Sequence, residues 1–202
     1  MSRETSLSLP WLSRVCRLWL DVPRRLWASL ALFSVALLGF GLYLQHVVGL
    51  EPCPMCIMQR YAWLLVALLS LMGAVLARAN PSAPTRGSRW LAWGVNLGLL
   101  VLSLGGGYVA ARQSWLQWYP PPIASCGRDF YGIVETFPLH QALPMIFRGS
   151  GDCAAIDWTL WGGTIANWSF MCFVGVGALV VAHLWRARAH ARRAEVADLR
   201  GA

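Results

Sequence analysis

Two cysteines in a C-x-x-C spacing, the first flanked by Pro52 and Pro54, stand in the run EPCPMCIMQR at residues 51–60 as Cys53 and Cys56, with Arg60 four residues after the second. This spacing serves metal ligation, a structural crosslink or thiol–disulfide exchange. Two more cysteines follow, Cys126 and Cys153, with 26 residues between them. A four-cysteine zinc site expects its second pair two to four residues apart, so the metal reading is weak. Covalent haem attachment requires C-x-x-C-H, and Ile57 occupies the histidine position.

The crosslink reading divides the four cysteines. Closing the long loop between Cys126 and Cys153 would stabilise it by roughly 3 to 4 kcal/mol in the chain-entropy model. For that pair a staple and a redox role both stand. Between Cys53 and Cys56 the ring is too small to store much loop entropy and its geometry is constrained. Strained and exposed disulfides are the labile ones, which favours exchange at this pair. If a helix begins near Cys56, its sulfur lies at a helix N-terminus, where partial positive charge favours thiolate. Arg60 then shares the helical face of Cys56 and leans back toward it. A cation one turn inside a membrane span costs on the order of 2.5 to 3.5 kcal/mol, less near the interface, which points to a function beyond snorkelling.

The elements that must position these residues are membrane helices. The chain has 202 residues, of which 57% are apolar and 13% charged, and it contains twelve tryptophans. Four stretches are long and apolar enough to span a bilayer: 27–46, 57–77, 90–111 and 160–184. Such a chain is expected to be an all-α membrane protein, a four-transmembrane-helix bundle forming one domain over 1–202. The first span lacks an A-x-A-like cleavage site and reads as an uncleaved anchor, with Arg24 and Arg25 as flanking charge rather than a twin-arginine signal.

Arginines cluster before span one, between spans two and three, and after span four, which puts both termini in the cytoplasm. The formal charge of +8 follows from this placement, so nucleic acid is not an expected partner. Two loops face outward, at 47–56 and 112–159, and hold Cys53, Cys56, Cys126 and Cys153 in an oxidising compartment. Cys16, in the cytoplasmic tail, and Cys172, within span four, read as small inert thiols. Residues 7–20 read as an amphipathic anchor on the inner face, and the apolar residues between Ile133 and Phe147 as short turns resting on the outer leaflet. Pro138 and Pro144 forbid one long helix there. Gly94, Gly98 and the run Gly105 to Gly107 allow close packing of span three.

The short first loop keeps Cys53 and Cys56 at the membrane surface, within reach of a lipid-soluble oxidant. The long second loop can meet a water-soluble protein. Electrons entering at Cys126 and Cys153 would pass to Cys53 and Cys56 through mixed disulfides, which requires the loops to touch.

The stretches QHVVGLEPCPMCIMQR, WLQWYPPPIASC and SGDCAAIDW, in this order and with this spacing between four spans, resemble the DsbB family of bacterial membrane proteins. The resemblance implies a protein-disulfide:quinone oxidoreductase of the Gram-negative inner membrane, which reoxidises a DsbA-like periplasmic thiol oxidase. It implies that Cys126 takes the mixed disulfide and that Cys153 is its partner. It also implies that Cys53 resolves the exchange across the loops and that Cys56 becomes the thiolate meeting the quinone. The implied cofactor is ubiquinone or menaquinone, with Arg60 and Cys56 as its contacts and no metal. One position departs from the best-studied member: a histidine near the outer end of span three is replaced by Gln113, an amide that can hydrogen-bond but carries no charge. Two other readings are a quinone or epoxide reductase running in the opposite direction, as in vitamin K epoxide reductases, and a four-span assembly protein whose disulfides brace its loops.

Overall fold

A computed structural model describes residues 23–79, 86–120 and 151–201. The amphipathic segment at 7–20, Cys16, Cys126 and the apolar turns between Ile133 and Phe147 lie outside the described residues. Four long helices dominate: α1 (Pro23–His46), α2 (Pro54–Ala79), α3 (Arg86–Trp118) and, after a short helix α4 (Gly151–Ala154), α5 (Ile165–Gly201). Strands β1 (Thr159–Leu160) and β2 (Gly163–Thr164) form a small antiparallel hairpin before α5. At 1.5 Å per residue the long helices measure about 36 to 56 Å, more than the roughly 30 Å of a hydrocarbon core.

Each helix carries an apolar window long enough to cross a membrane. The burial pattern is inverted relative to a water-soluble bundle. Leu32, Leu97 and Leu104 point outward, whereas Ser34, Ser70, Asn96 and Ser103 are buried. Polar side chains turn toward the helix interfaces because hydrocarbon offers them no partner. Ser34 Oγ, for example, donates back to the Leu30 carbonyl at 2.9 Å.

Packing runs α1 on α2, α2 on α3 and α3 on α5. The central apolar cluster joins Leu26 and Leu30 of α1, Trp63 and Val66 of α2, Leu99 of α3, and Phe173, Val176 and Val180 of α5. Trp63 stacks on Phe173 with centroids 4.2 Å apart. Gly106 lets α3 approach this stack, since a Cβ there would lie 2.4 Å from the Phe173 ring. Gly98 similarly faces Leu69 at 2.8 Å, whereas Gly94 and Gly105 have open space. Close packing therefore uses two of the five glycines expected to provide it most directly.

The helix ends differ from the apolar boundaries in the sequence. α3 continues through Trp118, so Arg112 and Gln113 belong to the helix and not to the outward loop. Hydropathy marks where side chains prefer lipid, but helical backbone bonding continues beyond it. The last helix begins at Ile165 and not at 160. Trp161 (φ 49°) and Gly162 (φ 78°) have the paired left-handed conformations of a two-residue hairpin turn, which ends β1 and starts β2. Thr164 then caps α5, its Oγ1 accepting from Asn167 N at 3.3 Å.

Arg24, Arg25, Arg89, Arg186 and Arg188 gather at one end of the bundle, where Trp27 meets His183 edge-on at 5.0 Å. Cys53, Cys56 and Cys153 occupy the opposite end.

Candidate thiol site

Local helix chemistry brings the first cysteine pair together. Cys53 is the cap of α2, Pro54 takes the first helical position, where a missing N–H does no harm, and Cys56 falls in the first turn. Cys53 Sγ accepts from Cys56 N at 3.3 Å, as a capping side chain does. The two sulfurs stand 2.6 Å apart. The cap thus holds the pair at bonding reach and places Cys56 at the positive end of α2.

Cys153 arrives from the later segment. The short helix α4 packs on α2 and α3, and Cys153 is fully buried with Cys53, Met55, Val109 and Leu116. Hydrogen bonding to Cys153 and then to Cys56, together with burial, pushes the Cys53 thiol well above its ordinary range. Three of the four cysteines singled out in the sequence therefore share one end of the bundle, with Cys53 between the other two in chemical contact. The two segments touch, as exchange between them requires.

Arg60 lies on the expected helical face and its guanidinium crosses to α1. It donates through Nη1 to Gln45 Oε1 and through Nη2 to the Gly41 carbonyl at 2.9 Å. Among the described residues it bonds these two oxygens of α1 and no sulfur. Gly41 faces the guanidinium closely: a Cβ there would lie in contact with Arg60 Nε, at 3.4 Å.

Gln113 stands against the sulfurs. Its Nε2 is 3.2 Å from Cys56 Sγ and 3.4 Å from Cys53 Sγ, and its Oε1 accepts from Gln59 Nε2 at 2.7 Å. Gln59 was not singled out in the sequence. Its partner is 54 residues away, and a single glutamine in an apolar helix gives no local signal of that pairing.

These residues border a cavity of about 320 Å³ between α1 and α5. Phe33, Leu37, Phe40 and Leu44 supply one wall, and Ile165, Trp168, Ser169 and Cys172 the other. Both sets repeat at helical spacing, so each helix turns one face inward. Cys172 packs against the core and also forms part of the cavity wall. Cys56, Arg60, Gln59 and Gln113 form the polar end, and Glu51 and Asp157 also border it. Trp158 packs edge-on to Phe40 at 5.6 Å, and Gln117 anchors the hairpin by accepting from Thr164 Oγ1 at 2.7 Å.

The arrangement suits an exchange of disulfide bonds whose last thiol opens onto an apolar chamber. Comparison with known proteins agrees with that chemistry. The family model for the disulfide bond formation protein DsbB matches residues 23–183. The chain is 59% identical over 177 residues to a disulfide bond formation protein B of Paracidovorax citrulli, covering 86% of this chain and 94% of the relative. It is 60% identical over 173 residues to the protein of that description from Polaromonas naphthalenivorans, covering 84% and 97%. A further relative, from Azoarcus, is 50% identical over 163 residues, covering 80% of this chain and 90% of the relative. With a match of this extent and four membrane-spanning helices, the chain belongs to the DsbB family of disulfide bond formation proteins.

Proposed function

We propose that this protein oxidises a DsbA-like periplasmic dithiol and transfers the two electrons to membrane quinone, ubiquinone or menaquinone. The observation that carries the reading is the sequence of contacts from Cys153 to Cys53 to Cys56, which ends at the apolar cavity. In this reading the cysteines face the periplasm, the arginine-rich end faces the cytoplasm and the protein sits in the inner membrane of a Gram-negative bacterium.

The exchange begins when a thiolate of the reduced partner attacks Cys126 of a Cys126–Cys153 disulfide. A mixed disulfide forms and Cys153 leaves with the electron pair. Cys153 then attacks Cys53, forming a Cys53–Cys153 bond and releasing Cys56 as thiolate. The partner's second thiol displaces Cys126, which restores the Cys126–Cys153 bond by attack on Cys153 and frees Cys53. Up to this point one disulfide has formed on the partner and the Cys53–Cys56 bond has been reduced. The leaving sulfur matters for rate, and Cys56 has both the helix end and the Gln113 amide to receive its charge.

The cavity residues fit a quinone. A flat apolar ring and tail suit the Phe33, Leu37, Phe40 and Trp168 walls, and a ring carbonyl needs a donor such as the Arg60 guanidinium at the polar end. A bound quinone would supply a two-electron, two-proton acceptor for the re-forming of the Cys53–Cys56 bond. Cys56 holds the reacting electron pair, Cys53 waits one bond away, and Arg60 orients the acceptor. Gln113 serves the sulfurs, and its amide also lies on the cavity boundary where a ring oxygen would accept from it.

Incubating purified protein with a reduced DsbA-like substrate and ubiquinone should produce quinol and oxidised substrate in equal amounts. Turnover unchanged by Cys56→Ala would sink the reading.

A further inference from the structure

The Gln59–Gln113 pair is buried, with the two residues 5% and 4% exposed, and it is not needed to close any helix. We infer that Gln59 is a positioning residue that fixes which end of the Gln113 amide faces the cysteines, and so sets the reactivity of Cys56. The inference rests on Cys56 being the reactive thiol in the proposed exchange, and not on the identity of the final electron acceptor.

An amide has a donor end and an acceptor end of nearly equal size. A thiolate only accepts, so Gln113 stabilises Cys56 when Nε2 points to the sulfurs and opposes its charge when Oε1 does. In the observed orientation Nε2 reaches both sulfurs, at 3.2 and 3.4 Å, and Oε1 is left facing α2. That oxygen would be a buried acceptor without a donor, at a cost that favours rotation, were Gln59 Nε2 not 2.7 Å away. Gln59 donates there and makes the productive orientation the satisfied one. Helical geometry explains why it can. Gln59 lies three residues after Cys56, on the neighbouring turn of one face, so both ends of the Gln113 amide meet the same helix.

The position also distinguishes this pair from Arg60. Arg60 is committed to Gln45 and Gly41 on α1, whereas Gln113 is the side chain whose N–H group contacts Cys56. The thiolate is therefore served by an uncharged donor whose direction depends on a second residue.

The test is a double-substitution cycle on the full-length reduced protein in detergent, with Cys16, Cys126 and Cys172 replaced by alanine. The rate of Cys56 alkylation by iodoacetamide is followed by mass spectrometry at one neutral pH, without quinone. Gln59→Met, close in shape but without a donor, should slow alkylation about tenfold, and Gln113→Met at least as much. In the double variant the Gln59 substitution should have no further effect, because it acts only through Gln113. Gln59→Asn keeps the amide but withdraws it by one methylene, should give the same loss, and serves if Met at 59 prevents folding. Alkylation at the native rate in the folded Gln59 variants overturns the inference, as does an equal loss with and without Gln113. Because no acceptor is present, such a result leaves the quinone reading intact, and loss of quinone turnover alone would leave this one intact.

Discussion

Arg60 on α2 and Gly41 on α1 are joined by a guanidinium N–H to carbonyl bond of 2.9 Å, made where a Cβ on residue 41 would just touch the arginine and a branched side chain would crowd it. The bond fixes the charged group at the polar end of the cavity, and among the described residues its hydrogen-bond acceptors are an amide and a backbone carbonyl. Arg60→Met should therefore raise the KM for quinone about tenfold or more, the loss expected for a charge-assisted hydrogen bond to the acceptor. Gly41→Val leaves the arginine in place chemically but displaces it, and should raise KM by roughly fivefold, equivalent to about 1 kcal/mol of strain. Steady-state kinetics with varied quinone and saturating dithiol partner measures both. An unchanged KM in both variants would remove Arg60 from the acceptor site.

Gly106 gives a stability prediction that is separate from the chemistry. An alanine Cβ would meet Phe173 at 2.4 Å, and Phe173 is fully buried and stacked on Trp63, so neither ring has room to withdraw. Gly106→Ala should destabilise the bundle by about 1 to 3 kcal/mol, whereas Gly105→Ala, facing open space, should be neutral or slightly stabilising. Thermal unfolding in detergent distinguishes them. Adding Phe173→Leu to Gly106→Ala should recover part of the loss, since the two side chains share the clash.

How much of this site was legible in the sequence depended on the range of each signal. Cys53, Cys56 and Arg60 announce themselves within eight residues, and helical periodicity correctly puts Arg60 beside Cys56 in the α2 face. Its actual partners are on α1, because periodicity orders residues along one helix and carries no information about the neighbour's carbonyls. Gln113 falls just beyond the apolar run, which ends near Ala111, and so reads as the start of the outward loop. The backbone ladder of α3 ignores that boundary and carries the amide to the sulfurs. Gln59 and the cavity face of Cys172 depend on packing between distant helices, which leaves no trace in local composition. The four spans were legible because lipid imposes one requirement on every turn of each helix.

The burial of Cys53 has a consequence for stability against pH. Its thiol is held neutral by hydrogen bonding to Cys153 and Cys56 and by burial, while in the unfolded chain it ionises near the ordinary value of 9.0. A raised folded value means the stabilisation is complete below about pH 9 and is lost as pH rises above it. The reduced protein should thus lose melting temperature above pH 9 more steeply than its Cys53→Ala variant. Differential scanning fluorimetry under reducing conditions measures this. Parallel curves for the two would show that Cys53 contributes no such linkage.

Cys153 and Cys53 share one buried cluster, so they should crosslink when their competitors are removed. In a Cys16→Ala, Cys56→Ala, Cys126→Ala, Cys172→Ala variant, mild oxidation should give an intramolecular Cys53–Cys153 disulfide in most molecules. Proteolysis and mass spectrometry without reductant would identify the joined peptides. Free thiols at both positions after oxidation would contradict the contact from which exchange between the two segments is derived.

The proposed transfer from Cys56 to quinone in the cavity between α1 and α5 is tested most directly by visible absorption. A thiolate packed against a quinone ring donates electron density to it, so adding ubiquinone to protein with a free Cys56 should produce a charge-transfer band. The band should appear in Cys53→Ala, where Cys56 has no bonding partner in its own pair, and disappear in Cys53→Ala combined with Cys56→Ser. A band of undiminished intensity in that double variant would contradict the assignment of Cys56 as the thiolate that meets the quinone.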